Sequence, residues 1–76
     1  MENETKTRVA DYEYLKTWLS REEVEELRTG HNRHGIVLSR QQAYNIMKNR
    51  SRNFLFRNLL IERAMKNEAL FQLKTL

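Results

Sequence analysis

Cysteine and proline are absent from this chain, and glycine occurs only at Gly30 and Gly35. Without cysteine there is neither a disulfide framework nor a thiolate zinc site to compensate for a small core. Without proline, and with so little glycine, the chain lacks the punctuation of small sheet proteins, while the helix formers Leu, Glu, Arg, Lys, Gln and Ala dominate. The expected fold class is therefore all-α, a small bundle of about four helices. Its 76 residues make one domain, and a chain this short buries only about 60% of the surface its unfolded form exposes, which leaves little room for an enclosed active-site pocket. We expect a flexible N-terminus over residues 1–8 and a single helical DNA-binding domain over 9–76. The segment Met1 to Arg8 is polar, with no apolar stretch behind it to act as a signal peptide or span a bilayer, so we read the protein as cytoplasmic with no membrane partner.

Acidic residues are missing from one long stretch. Residues 1–26 hold eight acids (Glu2, Glu4, Asp11, Glu13, Glu22, Glu23, Glu25, Glu26) against four bases, Lys6, Arg8, Lys16 and Arg21, a balance of −4. Residues 27–61 hold none and carry Arg28, Arg33, Arg40, Lys48, Arg50, Arg52 and Arg57, a balance of +7. Carboxylates facing phosphates would repel them, so their absence beside many cations suits an anionic partner.

The periodicity divides the chain further. Val9, Tyr12, Leu15 and Leu19 fall at helical spacing and predict a first helix over 9–19. Ser20 with Glu23 forms a capping box, and Leu19 with Val24 a hydrophobic staple, which starts a second helix that stops at Gly30. A loop over 29–37 follows. Ser39 with Gln42 repeats the capping box, with Leu38 packed on Ala43, and opens a third helix over 40–50. Asn49, Ser51 and Asn53 compete for backbone hydrogen bonds and predict a break before a last helix over 54–73.

On the third helix Ala43, Ile46 and Met47 share one arc and must face the core, while Gln41, Tyr44, Asn45 and Lys48 occupy the opposite one, flanked by Arg40, Gln42 and Asn49. Amide side chains pair bidentately with adenine, Arg and Lys meet guanine or phosphate, and Tyr contacts a phosphate or a thymine methyl. We therefore expect double-stranded DNA as the partner, with phosphates held by Arg33, His34, Arg40, Arg50, Arg52 and Arg57.

The segment Leu38-Ser39-Arg40-Gln41-Gln42-Ala43-Tyr44-Asn45-Ile46-Met47-Lys48-Asn49-Arg50-Ser51 resembles the recognition helix of the phage-repressor-like (Cro and XRE-type) helix-turn-helix family. The continuation Asn53 to Asn67, with Leu59-Leu60-Ile61-Glu62-Arg63-Ala64, resembles that family's closing helix. The resemblance covers about residues 20–70. It implies a phage- or bacterial-type transcriptional regulator with Gln41, Gln42, Tyr44, Asn45 and Lys48 as its base- and backbone-contacting face. One departure is plain: the span from Gly30 to Leu38 is longer than the family's turn of about three or four residues.

Other chemistry lacks its parts. His31 and His34 stop at two ligands, with no cysteine or carboxylate in their segment. Gly30 and Gly35 are not followed by the lysine and hydroxyl of a phosphate-binding loop. The acids Glu22 to Glu26 have no nucleophile or histidine beside them. We expect no enzyme, no cofactor and no small-molecule substrate. The last helix carries two apolar stripes, one of Phe54, Leu60, Ile61, Ala64, Met65 and Phe71, the other of Leu55, Leu59, Leu70 and Leu73. One stripe belongs to the core. The second, which we assign to Leu55, Leu59, Leu70 and Leu73, is covered either by the N-terminal helix or by a second copy in a twofold homodimer. The cations leave two alternatives to a regulator: a phage factor that grips an acidic surface of a host protein, and an excisionase-like recombination factor. RNA binding comes third, since clustered exposed aromatics for base stacking are missing.

Overall fold

Capping side chains set the start of every helix in the structure, a computed structural model that describes residues 11–74. Among these residues there are four helices and no strand: α1 (Tyr12–Trp18), α2 (Arg21–Arg28), α3 (Arg40–Met47) and α4 (Phe54–Lys74). The expected start of the first helix at Val9, and the N-terminal segment 1–8, lie outside the described residues. At α1, Asp11 Oδ1 accepts from the Tyr14 N–H at 2.8 Å. Leu19 is extended, and Ser20 caps α2 at once through both arms of its box: Ser20 Oγ accepts from Glu23 N–H at 3.1 Å and Glu23 Oε1 from Ser20 N–H at 2.9 Å. The same reciprocal pair recurs at α3, with 3.1 Å from Gln42 N–H to Ser39 Oγ and 2.8 Å from Ser39 N–H to Gln42 Oε1. Asn53 caps α4 by accepting from Phe56 N–H at 3.1 Å.

The third helix stops at Met47, short of the Arg50 expected. Asn49 adopts the left-handed conformation, φ 61°, and the turn closes as a Schellman motif: Asn49 N–H reaches Ile46 O at 3.0 Å and Arg50 N–H reaches Asn45 O at 2.8 Å. Asparagine is among the few residues other than glycine that tolerate that region, so helical periodicity alone did not reveal the stop.

The link between α2 and α3 is an excursion with paired ends. Thr29 and Val37 form an antiparallel bridge, and Leu38 N–H donates to Arg28 O at 2.8 Å. Gly30, at φ 104°, lets the chain turn out of the bridge, where an added Cβ would stand 3.3 Å from Val37 Cγ2. Residues 30–36 thus leave and return at one point, so α2 and α3 are joined across the bridge as if by a short turn.

The core is a contiguous cluster of Leu15 and Leu19, Val24 and Leu27, Ala43, Ile46 and Met47, and Phe56, Leu59, Leu60 and Ala64. The fourth helix supplies its floor, with Phe56 and Leu60 fully buried. Two assignments on that helix need correction. Leu59 is 5% exposed and belongs to the core, so it cannot lie on a dimerisation stripe; Leu55, Leu70 and Leu73 are exposed. Phe54, Met65 and Phe71, grouped with the core stripe in the sequence, are also exposed. The inward arc is 56, 59, 60, 63, 64 and 67, and two of its members, Arg63 and Asn67, are polar, which blurs the apolar pattern.

Those two polar residues fasten the α1–α2 corner. Asn67 Nδ2 donates to Trp18 O at 2.7 Å, satisfying a carbonyl left unpaired at the end of α1, and to the Glu23 carboxylate at 2.8 Å. Arg63 Nη1 approaches Glu23 at 3.4 Å. Tyr14 OH donates to Glu68 Oε1 at 2.7 Å; burial, with that carboxylate beside it, pushes the phenol up to about 12. Among the described residues no helix is long and apolar enough to cross a membrane.

Candidate nucleic-acid interface

The third helix turns Ala43, Ile46 and Met47 inward, as their spacing requires, and each is buried. Of the opposite arc, Gln41 and Lys48 are exposed and Asn45 is half-buried. Gln41 Nε2 donates to Asn45 Oδ1 at 3.3 Å, one turn along the same face. That contact leaves Gln41 Oε1 and Asn45 Nδ2 uncommitted, one acceptor and one donor. Tyr44 is half-buried, packs against the core and lines a shallow groove of about 190 Å³ together with Tyr12, Lys16, Leu19, Arg21 and Met47. Gln42 differs from the other amides: its Oε1 is occupied by the cap to Ser39, so a bidentate pair with adenine would cost α3 that cap.

The seven cations of the acid-free stretch separate into three groups. Arg28, Arg33 and Arg40 are paired with carboxylates that flank the stretch in sequence and fold back onto it. Glu25 bridges Arg28 and Arg40, the latter at 3.2 Å, and Glu62 takes Arg33 bidentately at 2.8 and 2.9 Å. Arg28 also donates to Leu38 O at 3.1 Å, which ties α2 to the start of α3. Arg57 is half-buried and donates to Ile46 O at 2.7 Å, closing the last turn of α3, so its guanidinium already has a structural partner. Lys48, Arg50 and Arg52 remain. Lys48 Nζ stands 5.5 Å from the Tyr12 ring centroid, a cation–π contact, while the side chains of Arg50 and Arg52 are exposed and have no hydrogen bond or ion pair among the described residues.

The loop that carries His31, Arg33 and His34 is held by Asn32. Its Nδ2 donates to Leu27 O at 2.8 Å and Ile36 O at 3.0 Å, and its Oδ1 accepts from the His34 and Ile36 N–H groups at 3.0 Å each. The loop therefore has a defined shape, with exposed His34 beside Glu62. The sequence places Asn32 only within the loop; the Gly-x-Asn spacing after a helix end is the signal that could have singled it out.

Electrostatics follow the pairing. Hydrogen bonds from Arg28, then Arg40, hold the Glu25 carboxyl at about 2, well below its ordinary 4.5. Burial pushes Glu23 up, but hydrogen bonds from Ser20, Asn67 and Arg63 outweigh it and leave the carboxyl lowered. The Arg33 guanidinium lowers Glu62 likewise. Each folded-state value lies below the unfolded one, so the stabilisation is present above about pH 4.5 and is lost as pH falls through the lowered value, which for Glu25 is about 2. Thermal melts at pH 7 and pH 3 should differ less for Glu25→Gln than for the parent. An equal pH sensitivity in both would remove Glu25 from the acid response.

Among the described residues, no three His, Asp or Glu side chains gather where a metal ion could sit. No family model, no curated protein and no solved structure matches this chain.

Proposed function

We propose that the protein binds double-stranded DNA through α3, as a small cytoplasmic regulator of transcription of the phage or bacterial helix-turn-helix kind. The observation that carries this reading is the outward arc of Gln41, Asn45 and Lys48, continued past the helix end by Arg50 and Arg52, in which no side chain is neutralised by a carboxylate. Gln41 and Asn45 read base edges in the major groove, Tyr44 and Lys48 contact the adjoining backbone, and Arg50 and Arg52 hold phosphates. The short effective link between α2 and α3, closed by the Thr29–Val37 bridge, supports the family resemblance, since a compact turn is what a helix-turn-helix needs. A guanidinium carries five N–H donors, so the exposed Arg33 and Arg40 side chains join the phosphate set while keeping their carboxylate partners. Gln42 keeps its cap and stays out of the reading set. A twofold homodimer presents two such helices to a near-palindromic site.

Titration of a labelled duplex pool should show binding that weakens steeply with salt, from counterion release. No binding at about 50 mM salt would end the proposal. Asn45→Ala should remove about 1–3 kcal/mol of preference at one base position, whereas Arg52→Ala should lower affinity evenly and reduce the salt slope by about one. The opposite pattern would reverse the two roles. A second reading, cations gripping an acidic protein surface, draws on the exposed Val37 and Phe54, and it requires that duplex affinity be absent under those conditions.

A further inference from the structure

On α4 the exposed positions Leu55, Glu62, Lys66, Ala69 and Leu73 fall within about 40° of one line along the helix axis, on a flank of the core-facing arc. Their order reads apolar, acid, base, small, apolar. It is also symmetric about the level of residue 64: Leu55 lies as far to one side as Leu73 to the other, and Glu62 as far as Lys66. An antiparallel second copy of this helix would therefore set Leu55 against Leu73 and Glu62 against Lys66 at both ends of a twofold axis. Two reciprocal ion pairs would sit inside two leucine contacts. Within the chain Glu62 and Lys66 do not pair with each other, although they stand one turn apart in a favourable order. Glu62 is turned to Arg33 at 2.8 Å, and Lys66 has no partner among the described residues.

We propose that this flank is the seam of a homodimer, with a second copy of α4 packed antiparallel about residue 64. A carboxylate has about four acceptor sites, so Glu62 can keep the Arg33 fork and still accept from Lys66 of the second copy. The fork orders the carboxylate beforehand and reduces what association must immobilise. Ala69 allows the two backbones to approach. The seam is one helix wide, at the low end of specific interfaces, so the dimer is weak and sensitive to salt. The seam supplies the homodimer invoked for a near-palindromic site, but none of its five residues contacts DNA in that reading, so loss of the dimer and loss of duplex binding are measured separately.

Charge reversal tests the register. At roughly 100 µM and low salt, the parent should sediment as a dimer, while Glu62→Lys and Lys66→Glu should each be at least about tenfold weaker, since each meets itself with like charges. An equimolar mixture of the two variants should recover the dimer, because one chain then carries lysine and the other glutamate at both 62 and 66, and each of the two pairs sets a lysine against a glutamate. The absence of cysteine gives a second measurement. Leu55→Cys and Leu73→Cys should cross-link when mixed, through a thiol reagent reaching about 10 Å, and neither alone should, because like positions lie about 27 Å apart along the axis. A monomeric parent, a mixture that stays monomeric, or self-cross-linking of either cysteine variant overturns the proposal. Helical circular dichroism unchanged from the parent confirms that these exposed substitutions leave the fold intact.

Discussion

Phe56→Ala is expected to lower the melting temperature by roughly 15–30 °C and to leave the domain close to unfolding at 37 °C. Phe56 is completely buried in a core cluster to which every helix contributes. Truncating a buried phenylalanine costs about 3–5 kcal/mol, from lost transfer free energy and the cavity left behind. A chain of this length has about 4–11 kcal/mol in total, so the loss takes a large share of its stability. Phe54, two residues earlier on the same helix, faces solvent instead. Phe54 is 62% exposed, and its truncation should move the melt by only a few degrees. Thermal melts of the two variants by circular dichroism measure the contrast directly. Equal shifts would mean that α4 does not sit on the core by the arc that includes Phe56.

That pair shows where sequence and structure part company. Local chemistry read well: both capping boxes, the Asn53 break and the arc of Ala43, Ile46 and Met47 depend on contacts three or four residues apart, and each was visible in the chain. The fourth helix read poorly because apolar residues surround it. Phe56 belongs to neither apolar stripe, and the arc that does face inward includes Arg63 and Asn67, whose partners Glu23 and Trp18 lie forty or more residues away. Charge behaved similarly. The stretch from 27 to 61 contains no acid, yet Glu25 and Glu62, just beyond its two ends, fold onto Arg28, Arg40 and Arg33. A run of like charge along a sequence becomes a patch only where the fold brings no counter-charge to it, and here that leaves the C-terminal end of α3.

Asn32→Ala carries the second large effect and tests whether the excursion between α2 and α3 is built or incidental. The side chain makes four hydrogen bonds, two donated to carbonyls and two accepted from amides, all within 3.0 Å and partly sheltered from water. At about 0.5–1.5 kcal/mol net for each, their removal should cost the loop about 2–6 kcal/mol. The Thr29–Val37 bridge and the Leu38-to-Arg28 bond do not involve Asn32, so the ends of the excursion should stay together while residues 30–36 open. Amide exchange at His34 and Ile36 should then accelerate toward the rate of an unstructured chain, with the amides of α4 slowed almost as before. If exchange rises equally throughout the molecule, the loop is part of the cooperative fold and not a separable insertion. The same variant bears on DNA binding. If Arg33 and His34 reach phosphates only because the loop holds them beside α3, Asn32→Ala should weaken affinity for all duplexes alike and leave the sequence preference from Gln41 and Asn45 unchanged. Undiminished affinity would confine the interface to α3 and the two arginines that follow it.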